Sequence, residues 1–431
     1  MSWGRVLRAE HRVAKPDFTD ELGALVTQLS PEDPGLAVGL GRSYGDSNLN
    51  PGGRILDMTG LDRLISFDPI SGVVRGEAGI SLSQVLRALV PAGWFLPTTP
   101  GSRFVTLGGA VANDVHGKNH HSAGSFGNSV RRLKLRRTDG STHEIGPNDP
   151  LFAATIGGLG LTGVIEWVEF QAVRIRSAFL DAEDVTFDNV DAYFELAAER
   201  KDAAEHAMAW VDCLAGGAHL GRGVFSFANW SRTGWREPHR EHPSKEMPFD
   251  APGFALNPLS VGAFNTLYNG LKSMRAGKSH VHYEPFLYPL DAIAKWNRLY
   301  GSKGFYQYQS VVPPGTAREA VREQLKLIAK SGQGSFLAVL KDMGPIPSLG
   351  MLSFPTAGTT LALDFPNKGA RTLKLMGDLD RIVLEAGGRL YPAKDGRIPA
   401  EMFRAGFPQW QGFRDHVDPG LSSGFWKRVS T

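Results

Sequence analysis

One cysteine, Cys213, in a chain of 431 residues means that no internal disulfide can close and no thiolate zinc site can be assembled. The redox compartment stays open on this ground, with a lean towards the cytoplasm. An excess of one charge is missing as well. Forty-seven Lys plus Arg stand against 44 Asp plus Glu, a formal net charge of +3. No basic block is clustered enough to follow a phosphate backbone, so a nucleic-acid partner is not expected. Long apolar runs are lacking too: nothing approaches the ~18 uninterrupted apolar residues of a membrane span. The first fifteen residues carry Arg5, Arg8, Glu10, Arg12 and Lys15 where a signal peptide would place its apolar core. Export by the general route is therefore not expected. The location predicted is cytoplasmic, with peripheral contact at the inner membrane left open.

What the chain does have is ordinary globular composition, 42% hydrophobic and 21% charged, and a length that at ~150 residues per domain predicts two or three packed units. Glycine is the exception. Its 51 residues form no repeat but cluster at 35–60, 93–127 and 157–163, where backbone is expected to pass close to a ligand or to turn with positive φ. Short apolar runs at 35–40, 54–58, 64–67, 73–77, 133–136 and 164–170 read as strands. Ser81 to Val90 has helical spacing, ended by Pro91-Ala-Gly93. This predicts an α+β first domain over about 1–175. From about 176 to 386 a second α+β domain is expected, with helices at 190–204, 290–300, 317–331 and 369–386. Its strands are placed at 207–213, 223–227, 305–312, 336–341 and 359–365. Between them Ser231 to Pro258, with Trp235, Pro238, His242, Pro243, Pro248 and Pro252, predicts a mobile loop or lid. The tail, 387–431, is expected to return to the first domain.

Gly39-Leu-Gly41-Arg42-Ser43-Tyr44-Gly45-Asp46 follows a predicted strand. Consecutive small residues let backbone N–H groups turn inward as an anion nest, to which Arg42 adds charge, so a pyrophosphate would fit. Pro100-Gly-Ser-Arg-Phe-Val-Thr106-Leu-Gly108-Gly109-Ala-Val-Ala-Asn113-Asp114-Val-His116-Gly117 would let a planar ring system lie against backbone, as a flavin does; a tight helix–strand junction is the alternative. His116, His120 and His121 invite a metal reading, but Gly117, Gly124 and Gly127 oppose a helix and no carboxylate cluster accompanies them, so no metal site is predicted. Gly158-Leu-Gly160-Leu-Thr-Gly163 is a literal GxGxxG, yet the alternating segment after it opens a strand, which fails the context a Rossmann site needs. No nucleophile elbow or Ser–His–Asp pattern supports serine hydrolysis. In the second half, strand alternation puts Gln307 and Gln309 on one face, ends a hydrophobic strand on Lys341, and leaves Tyr391 and Lys394 beside a turn.

These segments, together with Asp114-Val-His-Gly-Lys-Asn-His-His-Ser-Ala-Gly-Ser-Phe-Gly-Asn128 and Gly160-Leu-Thr-Gly163, resemble the FAD domain of the vanillyl-alcohol-oxidase superfamily, with its PCMH-type FAD-binding fold. The resemblance continues through Ala209-Trp210, Gln307-Tyr-Gln309, Leu352-Ser-Phe-Pro355, Asp364-Phe-Pro366 and Gly387-Gly-Arg-Leu-Tyr-Pro-Ala-Lys-Asp395. It covers nearly the whole chain and is nearest to the branch that oxidises a polyprenylphosphoryl ribose.

The resemblance implies FAD held between two α+β subdomains beneath a substrate-binding cap. It implies cofactor contacts from Gly39, Gly41, Arg42, Ser43, Tyr44, Gly45 and Asp46, and ring contacts from Gly101, Thr106, Gly108, Gly109, Asn113, Asp114, His116, Gly117, Ile165 and Tyr391. Around the substrate it implies Tyr44, His116, Lys118, Trp210, Gln307, Gln309, Lys341 and Lys394. Catalytic roles are expected for Lys394, His116 and Tyr44, with Lys394 polarising or deprotonating a hydroxyl. Superfamily members that bond their flavin use a histidine where this chain has Ser43-Tyr44, so the FAD is expected to be noncovalent. The implied reaction oxidises the 2′-hydroxyl of polyprenylphosphoryl-β-D-ribose, the first half of an epimerisation completed by a separate NAD(P)H-dependent short-chain reductase. A sugar or aldonolactone oxidase on a soluble substrate, or a flavin-binding partner protein without catalysis, are the alternatives. Two departures touch the expected cavity: Ala362 where the branch's mycobacterial members have cysteine, and Leu287 where they have tyrosine.

Overall fold

The computed structural model describes residues 1–200, 203–241, 245–253, 256–274 and 276–431. Its architecture is α+β. Three parallel strands open the chain, β1 (Arg12–Ala14), β2 (Gly35–Val38) and β3 (Arg54–Asp57), in the order β1-β3-β2. A five-stranded antiparallel sheet follows, built from β4 (Leu64–Phe67), β5 (Val73–Glu77), β6 (Val130–Arg136), β7 (Thr142–Ile145) and β8 (Val164–Gln171) in the order β4-β5-β8-β6-β7. Helix α1 (Leu82–Leu89) starts where Ser81 and Gln84 form a reciprocal capping box, and its apolar positions 82, 85, 86 and 89 are all buried. Helix α2 (Leu107–Ala112) starts at Thr106, whose hydroxyl accepts from the Gly109 N–H. The GxGxxG stretch is a turn, with Leu159 and Gly160 at positive φ, and it leads directly into β8.

The second half is one eight-stranded sheet. Its strands are β9 (Phe179–Phe187), β10 (His206–Val211), β11 (Gly223–Trp230), β12 (Gly277–His282), β13 (Phe305–Val312), β14 (Ala338–Met343), β15 (Gly358–Pro366) and β16 (Arg389–Leu390), ordered β12-β9-β11-β10-β14-β15-β13-β16. Helices α3 (Val190–Arg200), α4 (Pro258–Met274), α5 (Ala317–Ser331) and α6 (Ala370–Glu385) accompany it. A core cluster, which includes Ala154, Leu159 and Leu161 of the first half and runs on from Phe187 to Val429, joins the inner faces of α3, α5 and α6 to the sheet.

Three expectations need correction. The helix expected at 290–300 is two single turns, Pro289–Ala292 and Trp296–Tyr300. Ile293–Ala294 between them pairs in parallel with Lys245–Glu246, and Lys295 takes a left-handed φ of 54°, so helix bonding gives way to strand bonding there. The helix expected at 190–204 is seen over Val190–Arg200; 201 and 202 lie outside the described residues, and Ala203 and Ala204 are not helical. Within the span expected as a mobile lid, His242 and Pro243 lie outside the described residues. His239 is buried, its ring held by Tyr283 Oη at 2.6 Å and Ser83 Oγ at 2.8 Å, so the span is anchored there. At its end Pro258 opens α4, which Gly262 and Gly270 hid from a reading of periodicity. The tail first adds Arg389–Leu390 to the large sheet and then meets the first half, where Leu421 bridges Gly35, Gly424 N–H donates to the Leu49 carbonyl, and Arg428 pairs with Asp46.

Candidate active site

The two halves enclose a cavity of about 460 Å³. The sheet register explains which side chains reach it. Successive residues of a strand alternate faces, and a single row across four strands runs Trp210, Val339, Ala362, Gln309. Lys341 is two residues from Val339, and Gln307 is two from Gln309, so both share that face. Asp364, two residues beyond Ala362, is paired in register with Gln307. The first half supplies the opposing wall through the loop after β2, the turn before α2, and the His116–Lys118 segment.

His116 is the hub. Its Nδ1 lies 2.8 Å from Lys341 Nζ, and its Nε2 lies 3.1 Å from the Gln309 amide nitrogen. Lys341 also donates to the Gly117 carbonyl at 2.5 Å. Burial, with Lys341, His120 and Lys394 nearby, holds the His116 ring neutral by pushing its pKa well below the ordinary value. A neutral imidazole carries one N–H. With Lys341 donating to Nδ1, that hydrogen sits on Nε2, and Gln309 must turn its carbonyl oxygen towards it.

Three lysines share this wall, each desolvated. Burial lowers Lys118 to about 7, and Lys272 adds to the effect. Burial and the neighbouring Lys118 bring Lys341 to about 7. Burial brings Lys394 to about 8 against the pull of Asp364, and its Nζ sits 4.0 Å from the centroid of the Tyr44 ring. Lys118 Nζ donates to the Phe286 carbonyl. Asp364 is fully buried and raised to about 7 by desolvation, although Gln307 Nε2 donates to it at 2.9 Å. That bond fixes the Gln307 amide and leaves its Oε1 buried without a protein donor. Such an acceptor is costly unless a ligand hydroxyl or N–H meets it.

Of the residues expected to hold cofactor, Gly39, Gly41, Arg42, Ser43, Tyr44, Gly101, Thr106, Gly108, Gly109, Asn113, His116, Gly117, Ile165 and Tyr391 line the cavity. So do the expected substrate residues Lys118, Trp210, Gln307, Gln309, Lys341 and Lys394, together with Ala362 and Leu287 at the two departures. Gly45, Asp46 and Asp114 are not brought to that wall. A Cβ on Gly45 would stand 1.5 Å from the Asp395 carbonyl oxygen, so this glycine serves a backbone crossing. Asp46 faces away into an ion pair with Arg428 at 2.7 Å. Asp114, at φ 40°, accepts from Ser125 Oγ, Gly127 N–H and Ser353 Oγ and so ties down the loop that carries His116. Arg42 does line the cavity, but its Nε is given to the Phe104 carbonyl and its guanidinium lies 4.0 Å above the Trp3 ring. Sequence reasoning missed Asp364 and its partner Tyr300 as site residues. Part of the signal was available, because strand alternation puts Asp364 on the same face as Ala362, which the resemblance had placed at the cavity; its pairing with Gln307 needed the register.

The wall fits the dinucleotide that the resemblance implies. A Cβ on Gly41 would meet only Asn48 Nδ2, at 3.8 Å, and one on Gly101 would meet nothing within 4 Å, so both leave room for a ligand against backbone. Ser47 Oγ, Asn48 Oδ1 and Asn113 Oδ1 line or approach the same space and are buried without a protein partner.

The profile of the FAD-binding domain family matches residues 11–146. Decaprenylphosphoryl-β-D-ribose oxidase of Mycolicibacterium smegmatis is 38% identical, over 97% of this chain and 94% of the relative. L-gulono-1,4-lactone dehydrogenase of Mycobacterium tuberculosis is 23% identical, over 96% of this chain and 94% of the relative.

Proposed function

The chain belongs to the family of decaprenylphosphoryl-β-D-ribose oxidase and is an FAD-dependent oxidoreductase, and from that premise we propose that it oxidises the 2′-hydroxyl of a polyprenylphosphoryl-β-D-ribose to a ketone. The observation that carries this reading is the convergence of Lys118, Lys341, Lys394, His116, Gln307 and Gln309 on the cavity that the FAD-binding segments line. FAD, when bound, supplies the two-electron acceptor for the hydride that leaves C2′. Lys394, neutral above about pH 8, takes the hydroxyl proton at Nζ. Gln307 Oε1 accepts from a neighbouring sugar hydroxyl and fixes the ring, because Asp364 has already fixed the amide. Lys341, held by His116 and the Gly117 carbonyl, and Lys118 present N–H donors where a phosphate can be met, and a phosphate bound there would raise both from about 7 and hold them charged. Trp210, Tyr268, Leu287, Leu290 and Leu337 give the same cavity apolar wall that suits a lipid-linked sugar better than a free aldonolactone.

The FAD is held noncovalently in this reading. Among the described residues the cavity wall offers no cysteine and one histidine, His116, which has both ring nitrogens engaged. The ketone passes to a separate NAD(P)H-dependent reductase to complete an epimerisation. The test is the anaerobic visible spectrum of the FAD-loaded protein with polyprenylphosphoryl ribose, with free ribose in parallel. Bleaching by the lipid sugar alone supports the assignment, and flavin bands unmoved by it remove that substrate.

A further inference from the structure

The outward face of α4 is apolar where a surface helix carries charge. Its exposed positions include Leu259, Ala263, Phe264, Leu267, Leu271 and Met274, with only Ser, Thr, Gly and Pro among the others. Leu259 is 84% exposed, Leu267 63% and Met274 85%. The one charged residue of the helix, Lys272, points inward to Asp184 at 2.7 Å. This inverts the usual polarity of an amphipathic surface helix. At 1.5 Å per residue the 17 residues present a strip about 25 Å long, unlike the scattered single apolar side chains of ordinary surfaces.

The surrounding sequence says what covers it. From Ala251 to Tyr283 there is no Asp or Glu, while Lys272, Arg275 and Lys278 are present. The carboxylates of β9 beside the helix are each partnered, Asp181 by His280, Glu183 by Arg200 and Asp184 by Lys272, so the strip has no unpaired negative charge beside it to repel anionic headgroups above acyl chains. A second copy of the chain would bring the same cations into the contact. The strip is also continuous with the site, because Tyr268 on the same helix lines the cavity and packs on Trp210 with ring centroids 4.8 Å apart.

We propose that α4 lies flat on an anionic bilayer, with the strip from Leu259 to Met274 at the headgroup–acyl boundary and the cavity directly behind it. Among the described residues no helix is long and apolar enough to cross a membrane, which suits a helix that lies on the surface. This contact stands on the helix face and its charge surroundings, apart from the identity of the substrate. It assigns to α4 the peripheral membrane contact that the sequence left open.

The experiment sediments full-length FAD-loaded protein with vesicles of phosphatidylcholine alone and of phosphatidylcholine with phosphatidylglycerol, none containing a sugar lipid. Wild-type protein is expected on the mixed vesicles, and to leave them as salt is raised. Leu267→Glu with Met274→Glu is expected to partition about tenfold more weakly or worse, since two exposed apolar anchors are lost. The flavin spectrum and thermal midpoint of the double variant should match wild type, which separates lost docking from lost folding. Wild-type protein that stays in the supernatant with both vesicles, or a variant that binds as well as wild type, overturns the proposal. So does a wild-type dimer in light scattering that the two substitutions dissociate, because the strip would then be a contact between copies.

Discussion

Single residues decide the chemistry here through desolvation. Lys394 would be a useless base at its ordinary pKa, because almost none of it would be neutral near pH 7; burial brings it to about 8. Asp364 works against that shift, since a nearby carboxylate favours the ammonium form. Two outcomes follow for the rate of flavin reduction by lipid sugar. Lys394→Ala should lower it by about 10²–10⁴-fold while FAD stays bound. In wild type kcat/KM should rise as pH rises through about 8, and Asp364→Asn should move that rise to lower pH, because removing the carboxylate charge removes what keeps Lys394 protonated. A pH profile unmoved by Asp364→Asn would detach the carboxylate from Lys394. At this scale the glycine loops were legible from motif, Gln307, Gln309 and Lys341 from strand alternation and Lys394 from its place beside a turn, whereas Lys118 and the grouping of these residues into one site came from the resemblance. Asp46 and Asp114 were not legible, because a carboxylate in a motif looks the same whether it faces a ligand or ties down a loop, and here it is Arg428 and the Ser125–Gly127 turn that they serve.

At the scale of elements, the loop after β2 and the turn before Asp395 are locked together, and Gly45 is the point of closest approach. A side chain there would collide with backbone, which no rotamer change relieves. Gly45→Ala should destabilise the protein by about 3 kcal/mol and weaken FAD retention, seen as a lower thermal midpoint and loss of flavin on gel filtration; a wild-type midpoint would show that the two segments part freely. Elements with a strong period were read nearly to the residue, as with α5 and β13, whose apolar positions match a single face. The break at Lys295 was not, because the parallel pairing of 293–294 with 245–246 is a contact between segments about 50 positions apart that no local pattern encodes. Helix α4 was missed for the opposite reason. Its apolar residues face outward and its inward side holds Asn265 and Lys272, so the pattern that normally marks a surface helix is turned around.

For the whole molecule, buried histidines tie folding to pH. Burial lowers His120, His206 and His239 to about 3 and His116 well below its ordinary value, against an ordinary imidazole value of 6.5. Between these values the unfolded chain takes up protons that the folded chain refuses, so their contribution to stability is complete above pH 6.5 and is lost as pH falls below it. The thermal midpoint should therefore drop as pH falls from 6.5, and His206→Asn, which cannot charge, should drop less steeply than wild type; equal slopes would remove His206 from the effect. The arrangement of halves was legible only in part. An α+β first half under an α+β cap followed from composition, punctuation and resemblance. That Trp210, Val339, Ala362 and Gln309 form one row across four strands depends on strand order and register, which a chain's local pattern does not carry.

The central claim is that hydride leaves C2′ of a lipid-linked ribose in this cavity. It is tested most directly by anaerobic stopped-flow reduction of the bound flavin with polyprenylphosphoryl ribose carrying deuterium at C2′, beside the unlabelled compound and one labelled at C3′. Deuterium at C2′ is expected to slow flavin bleaching several-fold and deuterium at C3′ to leave it unchanged. Equal rates for all three, or slowing by the C3′ label alone, would contradict it.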